Sequence, residues 1–357
     1  MKIFYLCDTS SIHSQKWVNY FLSKNYDITC ISFSKNKIEG TKHINILEDE
    51  INIPYKKLWQ KIFYLKRILF IRSFIKKEQP DILHAHYASS YGFLGALCNY
   101  KKFLISVWGS DVFEFPKINF LTKNILKYNL KKAQVICSTS KIMADEIKKY
   151  TNKNITITPF GVNTSFFYPK NKNKNNLFRI GTVKTLETIY GIDTLIKAFK
   201  LFSDKYENTI LEIVGDGTKR SNYETLVKEL NIQNKVIFRG KVKNEEVPNI
   251  LNSFDIFVAL SLQESFGVAV VESMSCSIPV VVSNISGLTE VVINNKTGII
   301  VDVNSPEKAC EAFEKLYNDN IFYSELSKNS RQHVLDNYDW KNNAKIMENI
   351  YINLKKS

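Results

Sequence analysis

A chain of 357 residues with 44% hydrophobic and 13% aromatic content is too long for one core and too apolar to stay disordered, so it reads as two folded domains. Six cysteines without a C-x-x-C pair argue against a thiolate zinc site and a disulfide-stapled secreted fold, and read as reduced, mostly buried thiols. The net charge of +14 sits almost wholly in one half: residues 1–166 hold 25 Lys+Arg against 12 Asp+Glu, residues 167–357 hold 24 against 23. A basic half attracts polyanions, either nucleic acid or anionic lipid headgroups, unless it is only the Lys-rich surface of a biased genome.

Taken in chain order, the opening MKIFYLCDTSS is too short an apolar run for a signal peptide. No stretch reaches the ~18 apolar residues of a membrane-spanning helix. A cytoplasmic protein is expected, peripheral at most on the inner face of the membrane. KIFYLCD, YDITCISF, DILHAHY, FLISVWGSD, AQVICSTS and ITITPFG predict strands spaced by helices, hence a parallel sheet. Residues 55–77 hold eight Lys or Arg and no acid, with Leu58, Ile62, Leu65 and Leu69 in a helical stripe. Such a helix fits either docking on anionic lipid, Trp59 and Phe63 near the headgroups, or core packing with snorkelling lysines.

Pro169 to Asn176, PKNKNKNN, has no apolar periodicity and predicts a linker between a first domain over 1–168 and a second over 177–336. The strand pattern then restarts with LFRIGTV, TILEIVGDG, KVIFRG, FDIFVAL, IPVVVS and TGIIVDV, a second doubly wound layer. Residues 337–357 carry aromatic anchors at helical spacing and predict a closing helix that packs back toward the first domain. Two such halves leave a central cleft at the carboxyl ends of their sheets, where open α/β sheets bind ligands.

The most informative segment runs from Ser261 to Met274, SLQESFGVAVVESM. It follows the strand FDIFVAL and opens a helix with apolar residues nearly all round, which predicts burial. Glu272 within it then needs a partner, and a structural ion pair would suffice. Eight residues earlier, Glu264 lies in the strand-to-helix loop beside Ser265, Phe266 and Gly267, whose backbone N–H groups and helix dipole favour an anion such as a diphosphate.

In this segment the chain resembles the retaining glycosyltransferases of family 4, the glycosyl transferases group 1, over essentially its whole length. The resemblance rests on the E-x7-E pair Glu264 and Glu272, SIPVVVS at 277–283, Gly287-Leu-Thr-Glu290 and Thr297-Gly298 in succession. It implies the GT-B fold, two Rossmann-like parallel-sheet domains facing a cleft, and a hexosyl transfer with retention. The donor is a nucleotide diphosphate sugar, a UDP-sugar before a GDP-sugar, with no other cofactor. By the same likeness Glu264 stands near the reacting sugar and Glu272 accepts from ribose hydroxyls. Ser265, Phe266, Gly267 and Val268 hold sugar and phosphates, Gly215-Asp216-Gly217 lines the donor site, and Arg239 and Val242 flank the base.

The sequence departs from the family at several points. Thr182 stands at the expected arginine and Tyr190 at the usual lysine, which leaves Lys184 to neutralise the diphosphate, unless it is a solvated surface lysine. His13 follows Ser10-Ser11-Ile12 in place of a double glycine, and Trp108 takes the histidine position of an H-G-x-D stretch. His13, His86 and Asp111 are the acceptor-side candidates. Each has a structural alternative, a satisfied histidine for the first two and a turn cap for Asp111. No D-x-D pair occurs, so no metal is expected.

The expected acceptor is a saccharide or lipid-linked saccharide in cell-surface polysaccharide or glycolipid assembly, with an anionic inner-leaflet surface as a further partner. Two rivals remain: a nucleotide-sugar epimerase on the same frame and, without any zinc-finger or ribonucleoprotein motif to support it, a basic nucleic-acid-binding protein. A nicotinamide oxidoreductase does not fit, because CDTSSIHS after the first strand is not G-x-G-x-x-G.

Overall fold

The computed structural model describes residues 1–46, 59–170 and 177–357, the stretch 59–67 by its backbone alone. The chain forms two compact units, Met1–Pro159 with Ala344–Ser357, and Phe160–Asn343. The expected first domain, 1–168, runs nine residues too far. Residues 160–168 are tied to the second unit: the Val162 N–H donates to Tyr338, and the Phe167 carbonyl accepts from Ser275 Oγ at 2.6 Å and Arg331 at 2.9 Å. Most of the expected linker, 171–176, lies outside the described residues, as do Leu58 and the side chains of Trp59, Ile62, Phe63 and Leu65.

The first unit carries seven parallel strands: β1 Lys2–Leu6, β2 Asp27–Ser32, β3 Lys42–Asn45, β4 Ile82–His86, β5 Phe103–Val107, β6 Val135–Ser138 and β7 Ile155–Ile157. Their order is β3-β2-β1-β4-β5-β6-β7. Strands β4 and β5 are buried along their whole length, as expected where helices cover both faces of a parallel sheet. Only β3 was not legible in the sequence; KHIN is short, polar and an edge.

The second unit has six parallel strands: β8 Phe178–Val183, β9 Thr209–Val214, β10 Val236–Gly240, β11 Ile256–Ala259, β12 Val280–Ser283 and β13 Ile299–Val301, in the order β10-β9-β8-β11-β12-β13. In both units the first strand lies inside the sheet and the order reverses beside it, at β1/β4 and at β8/β11. The loops leaving those paired strands diverge to opposite faces and open a crevice at their carboxyl ends.

The helix over Trp59–Glu78 packs through Ile71 and Ile75, while Leu69 of the expected stripe is 62% exposed. The closing helix, Trp340–Lys356, starts three residues later than expected and belongs to the first unit from Ala344. Tyr351 is fully buried there; its hydroxyl meets the Tyr5 hydroxyl at 2.9 Å and Nδ1 of His84.

Candidate active site

Strand β8 ends at Val183, so Lys184 is the first residue past the switch point of the second sheet. Its N–H is held by the Val214 carbonyl at 2.9 Å, and its own carbonyl runs under the turn after β9. A Cβ on Gly215 would stand 2.0 Å from that carbonyl, and φ is +134°. Only glycine lets the two loops close so far. The Gly215-Asp216-Gly217 turn is thus built first as packing; Asp216 is exposed and caps the Gly217 N–H.

From the other side of the switch, the loop after β11 delivers Glu264. Its carboxylate pairs with the Lys184 ammonium, which also lies 4.3 Å from the centre of the Tyr190 ring. Tyr190, noted in the sequence only as a departure, is therefore part of the site: an aromatic face steadies the cation where a second lysine would have repelled it. Thr182 is buried within β8 and takes no part.

The segment 264–267 is fixed from behind. Phe266 turns its ring into the core against Phe160 and Tyr338, leaving its backbone at the loop. The turn over Ser286–Thr289 comes so close that a Cβ on Gly287 would be 2.0 Å from the Glu264 carbonyl. Gly267 begins the helix Val268–Ser275 at φ +77°. The N–H groups of Ser265, Phe266 and Gly267 take no backbone acceptor among the described residues. Unpaired N–H groups at a helix start are donors of the kind that anions take.

Glu272 differs from expectation. The helix is not buried all round: Val268, Ala269 and Glu272 are half-buried, and Val268 and Glu272, four apart, share its more open side. Arg239 is engaged within its own sheet. It is the extra residue in a bulge of β10 and turns its Nε onto Glu212, a fully buried carboxylate that Arg179 also grips at 2.7 Å. Its guanidinium supports the sheet. Val242 follows in the loop after β10, half-buried, next to Gly240, whose carbonyl accepts from Gly215 at 2.9 Å.

A second polar cluster crowns the first unit's switch point. His86, last residue of β4, is fully buried with Nδ1 3.2 Å from Ser14 Oγ, and its ring lies 4.4 Å from Trp108. Its Nε2 is buried without a hydrogen-bond partner. Burial lowers the His86 imidazole to about 3, helped by His13 nearby. His13, edge-on to Trp108 at 6.0 Å, is lowered to about 4 by burial and by Lys16. Both rings are therefore neutral hydrogen-bonding groups at neutral pH.

Asp111 is spent differently. Its two oxygens receive the N–H groups of Ala88 at 2.7 Å, Gly109 at 2.8 Å and Trp108 at 3.2 Å, and burial raises its pKa despite them. It holds the Trp108-Gly109 turn in place. Tyr87, just past His86, has φ +71°, a strained value for a non-glycine residue at a site. Among the described residues no group of three or more His, Cys, Asp or Glu could hold a metal ion, and no helix is long and apolar enough to cross a membrane.

Two doubly wound parallel-sheet units in one chain are the architecture of the GT-B glycosyltransferases. The chain matches the family model Glycosyl transferases group 1 over residues 164–333 and Glycosyl transferase 4-like over residues 2–140, and it belongs to the glycosyl transferases group 1 family. It is 26% identical over 285 residues to an uncharacterized glycosyltransferase of Methanocaldococcus jannaschii, covering 79% of this chain and 78% of that protein. With the N-acetyl-alpha-D-glucosaminyl L-malate synthase of Bacillus anthracis it shares 24% over 301 residues, 77% of this chain and 75% of that one. The crystal structure of Anabaena HepE in complex with UDP-glucose has the same fold at a TM-score of 0.78, with 13% identity and coverage of 98% and 99%.

Proposed function

We propose that the protein is a retaining hexosyltransferase that moves a sugar from a nucleoside diphosphate donor onto an acceptor hydroxyl, in the assembly of a surface polysaccharide or glycolipid. The observation that carries this reading is the Lys184–Glu264 pair beside residues 265–267, whose N–H groups take no backbone acceptor among the described residues. Without donor the two charges neutralise each other. An arriving diphosphate takes over Lys184 and the N–H groups, and Glu264 is freed to accept from hydroxyls of the sugar.

When the bond from C1 to the phosphate oxygen breaks, its electron pair stays on the diphosphate. Charge developing there meets donors already in place, which lowers the barrier without reorganisation. The acceptor oxygen bonds to C1 on the face the phosphate leaves, and its proton passes to the leaving phosphate oxygen. Glu264 stabilises the positive sugar and forms no bond to it. Glu272, on the open side of its helix with Val268, is assigned to the ribose hydroxyls, and Val242 to the base. The acceptor is assigned to His86 and His13; the unpartnered Nε2 of His86 fits a substrate hydroxyl.

A UDP-sugar is the expected donor, a choice supported by the UDP-glucose held by HepE and the N-acetylglucosaminyl group in the Bacillus enzyme's name. Thermal-shift binding against UDP-, GDP- and ADP-sugars, repeated with Lys184→Ala and Glu272→Ala, tests the site. One nucleotide sugar should stabilise the wild type and lose that effect in both variants; if neither variant weakens it, the donor lies elsewhere. Proton NMR of the product should find the donor's anomeric configuration, and an inverted product would overturn retention.

A further inference from the structure

Around the turn Phe115–Lys117 and the helix Phe120–Lys132 of the first unit, three large apolar side chains within four residues face solvent: Ile118 at 68%, Phe120 at 78% and Leu121 at 66% exposure. The fold does not need them there. The helix is anchored beneath by Leu126, Asn129 and Leu130, and its start is fixed by a capping box between Asn119 and Thr122. Three such side chains within four residues make a dense exposed apolar tip, which marks an interaction surface where single exposed apolar residues would not.

The charges around the tip select its partner. Lys123, Lys127 and Lys131 recur every fourth residue, so they form one row on the exposed side of the helix, and Lys117 stands next to Ile118. Residues 114–133 contain five lysines against one acid, Glu114. The nearby helix Lys141–Ile147 adds no free counter-charge, since its Asp145 and Glu146 are paired with Lys148 and Lys149. A second copy docked symmetrically through the same tip would set these lysines against their own like charges. Nucleic acid would answer the lysines and leave the apolar tip in water. An anionic bilayer answers both, apolar groups entering the headgroup boundary while lysines meet phosphates.

We propose that Ile118, Phe120 and Leu121, with Lys117 and the row Lys123, Lys127 and Lys131, form a docking surface for anionic membrane. The proposal stands apart from the donor reading, because docking is measured without any nucleotide and its failure would leave sugar transfer untouched.

Flotation of the full chain with vesicles of phosphatidylcholine alone, or mixed with phosphatidylglycerol, tests it. The wild type should float with the anionic vesicles only. Ile118→Ser with Phe120→Ser and Leu121→Ser should lower vesicle affinity by roughly a hundredfold. Lys123→Gln with Lys127→Gln should lower it roughly twentyfold and flatten its salt dependence. Phe120→Trp adds a fluorophore at the tip, and the emission of that variant should shift to the blue on docking. Absence of binding, no such shift in the Phe120→Trp variant, or unchanged affinity in the folded triple variant would overturn the proposal. So would sedimentation of the wild type as a dimer that the triple variant dissolves, which would give the tip to a second copy.

Discussion

Lys184 sits between two attractions, the carboxylate of Glu264 and the face of Tyr190. Losing the cation removes the main counter-charge for the leaving group, so Lys184→Met is expected to lower kcat/KM by about 10²- to 10³-fold, read in a coupled assay of nucleotide release. Glu264→Gln keeps the shape but leaves Lys184 without its partner. It should cost activity while nucleoside diphosphate, which needs only the cation and the N–H groups, still binds in calorimetry. Gly287 makes a different kind of contribution. An added methyl would collide with the Glu264 carbonyl, so Gly287→Ala should destabilise the protein by about 2–3 kcal/mol in urea unfolding and displace Glu264 with it.

Among the elements, the closing helix shows most clearly how packing is decided by polar groups. Tyr351 reaches Tyr5 on β1 and His84 on β4, and His84 passes the contact on to Ser106 of β5 at 2.8 Å. All four of these residues are buried, so no water can replace a missing member. Tyr351→Phe fills the same space but strands two partners, and is expected to cost about 2–3 kcal/mol, measured by denaturant unfolding. Retained activity at low temperature would separate this role from catalysis. The helix itself was legible from the spacing of its aromatics. Its partners were not, because a tyrosine at residue 351 and a histidine at residue 84 have no relation until the sheet brings them together.

At the scale of the molecule, acid should attack the two units unequally. The first unit holds His13, His84 and His86, all with pKa values lowered chiefly by burial, against one such ring, His333, in the second. In the unfolded chain each titrates near 6.5, so below that value the unfolded state binds more protons than the folded one. Stability is therefore complete above 6.5 and falls as the pH drops toward about 3, the folded value of His86. For His86 alone the loss approaches ~1.4 kcal/mol per pH unit, or ~2 kcal/mol near pH 5. Hydrogen exchange should show β1, β4 and β5 losing protection on acidification before β8, β9 and β11, and His86→Gln should reduce the slope.

What the sequence determined alone was the kind of element and the order in which the elements follow one another. Strand runs of β-branched residues and the restart of the pattern after residue 176 are local properties that propensity suffices to read, whereas the Glu264 and Glu272 spacing carries meaning only through the family resemblance. Tertiary structure decided which groups are free to act. Arg239 reads as available in the sequence, yet a bulge turns it onto Glu212; Asp111 reads either as an acceptor-side group or as a turn cap, and three backbone N–H groups on its oxygens give the cap. Tyr190, read as a gap in a motif, supplies the ring under Lys184. The reason lies in contacts the spacing of motifs does not encode: Glu212 on β9 takes Arg239, the Ala88 N–H after β4 joins the local turn on Asp111, and the loop after β8 folds the Tyr190 ring over Lys184.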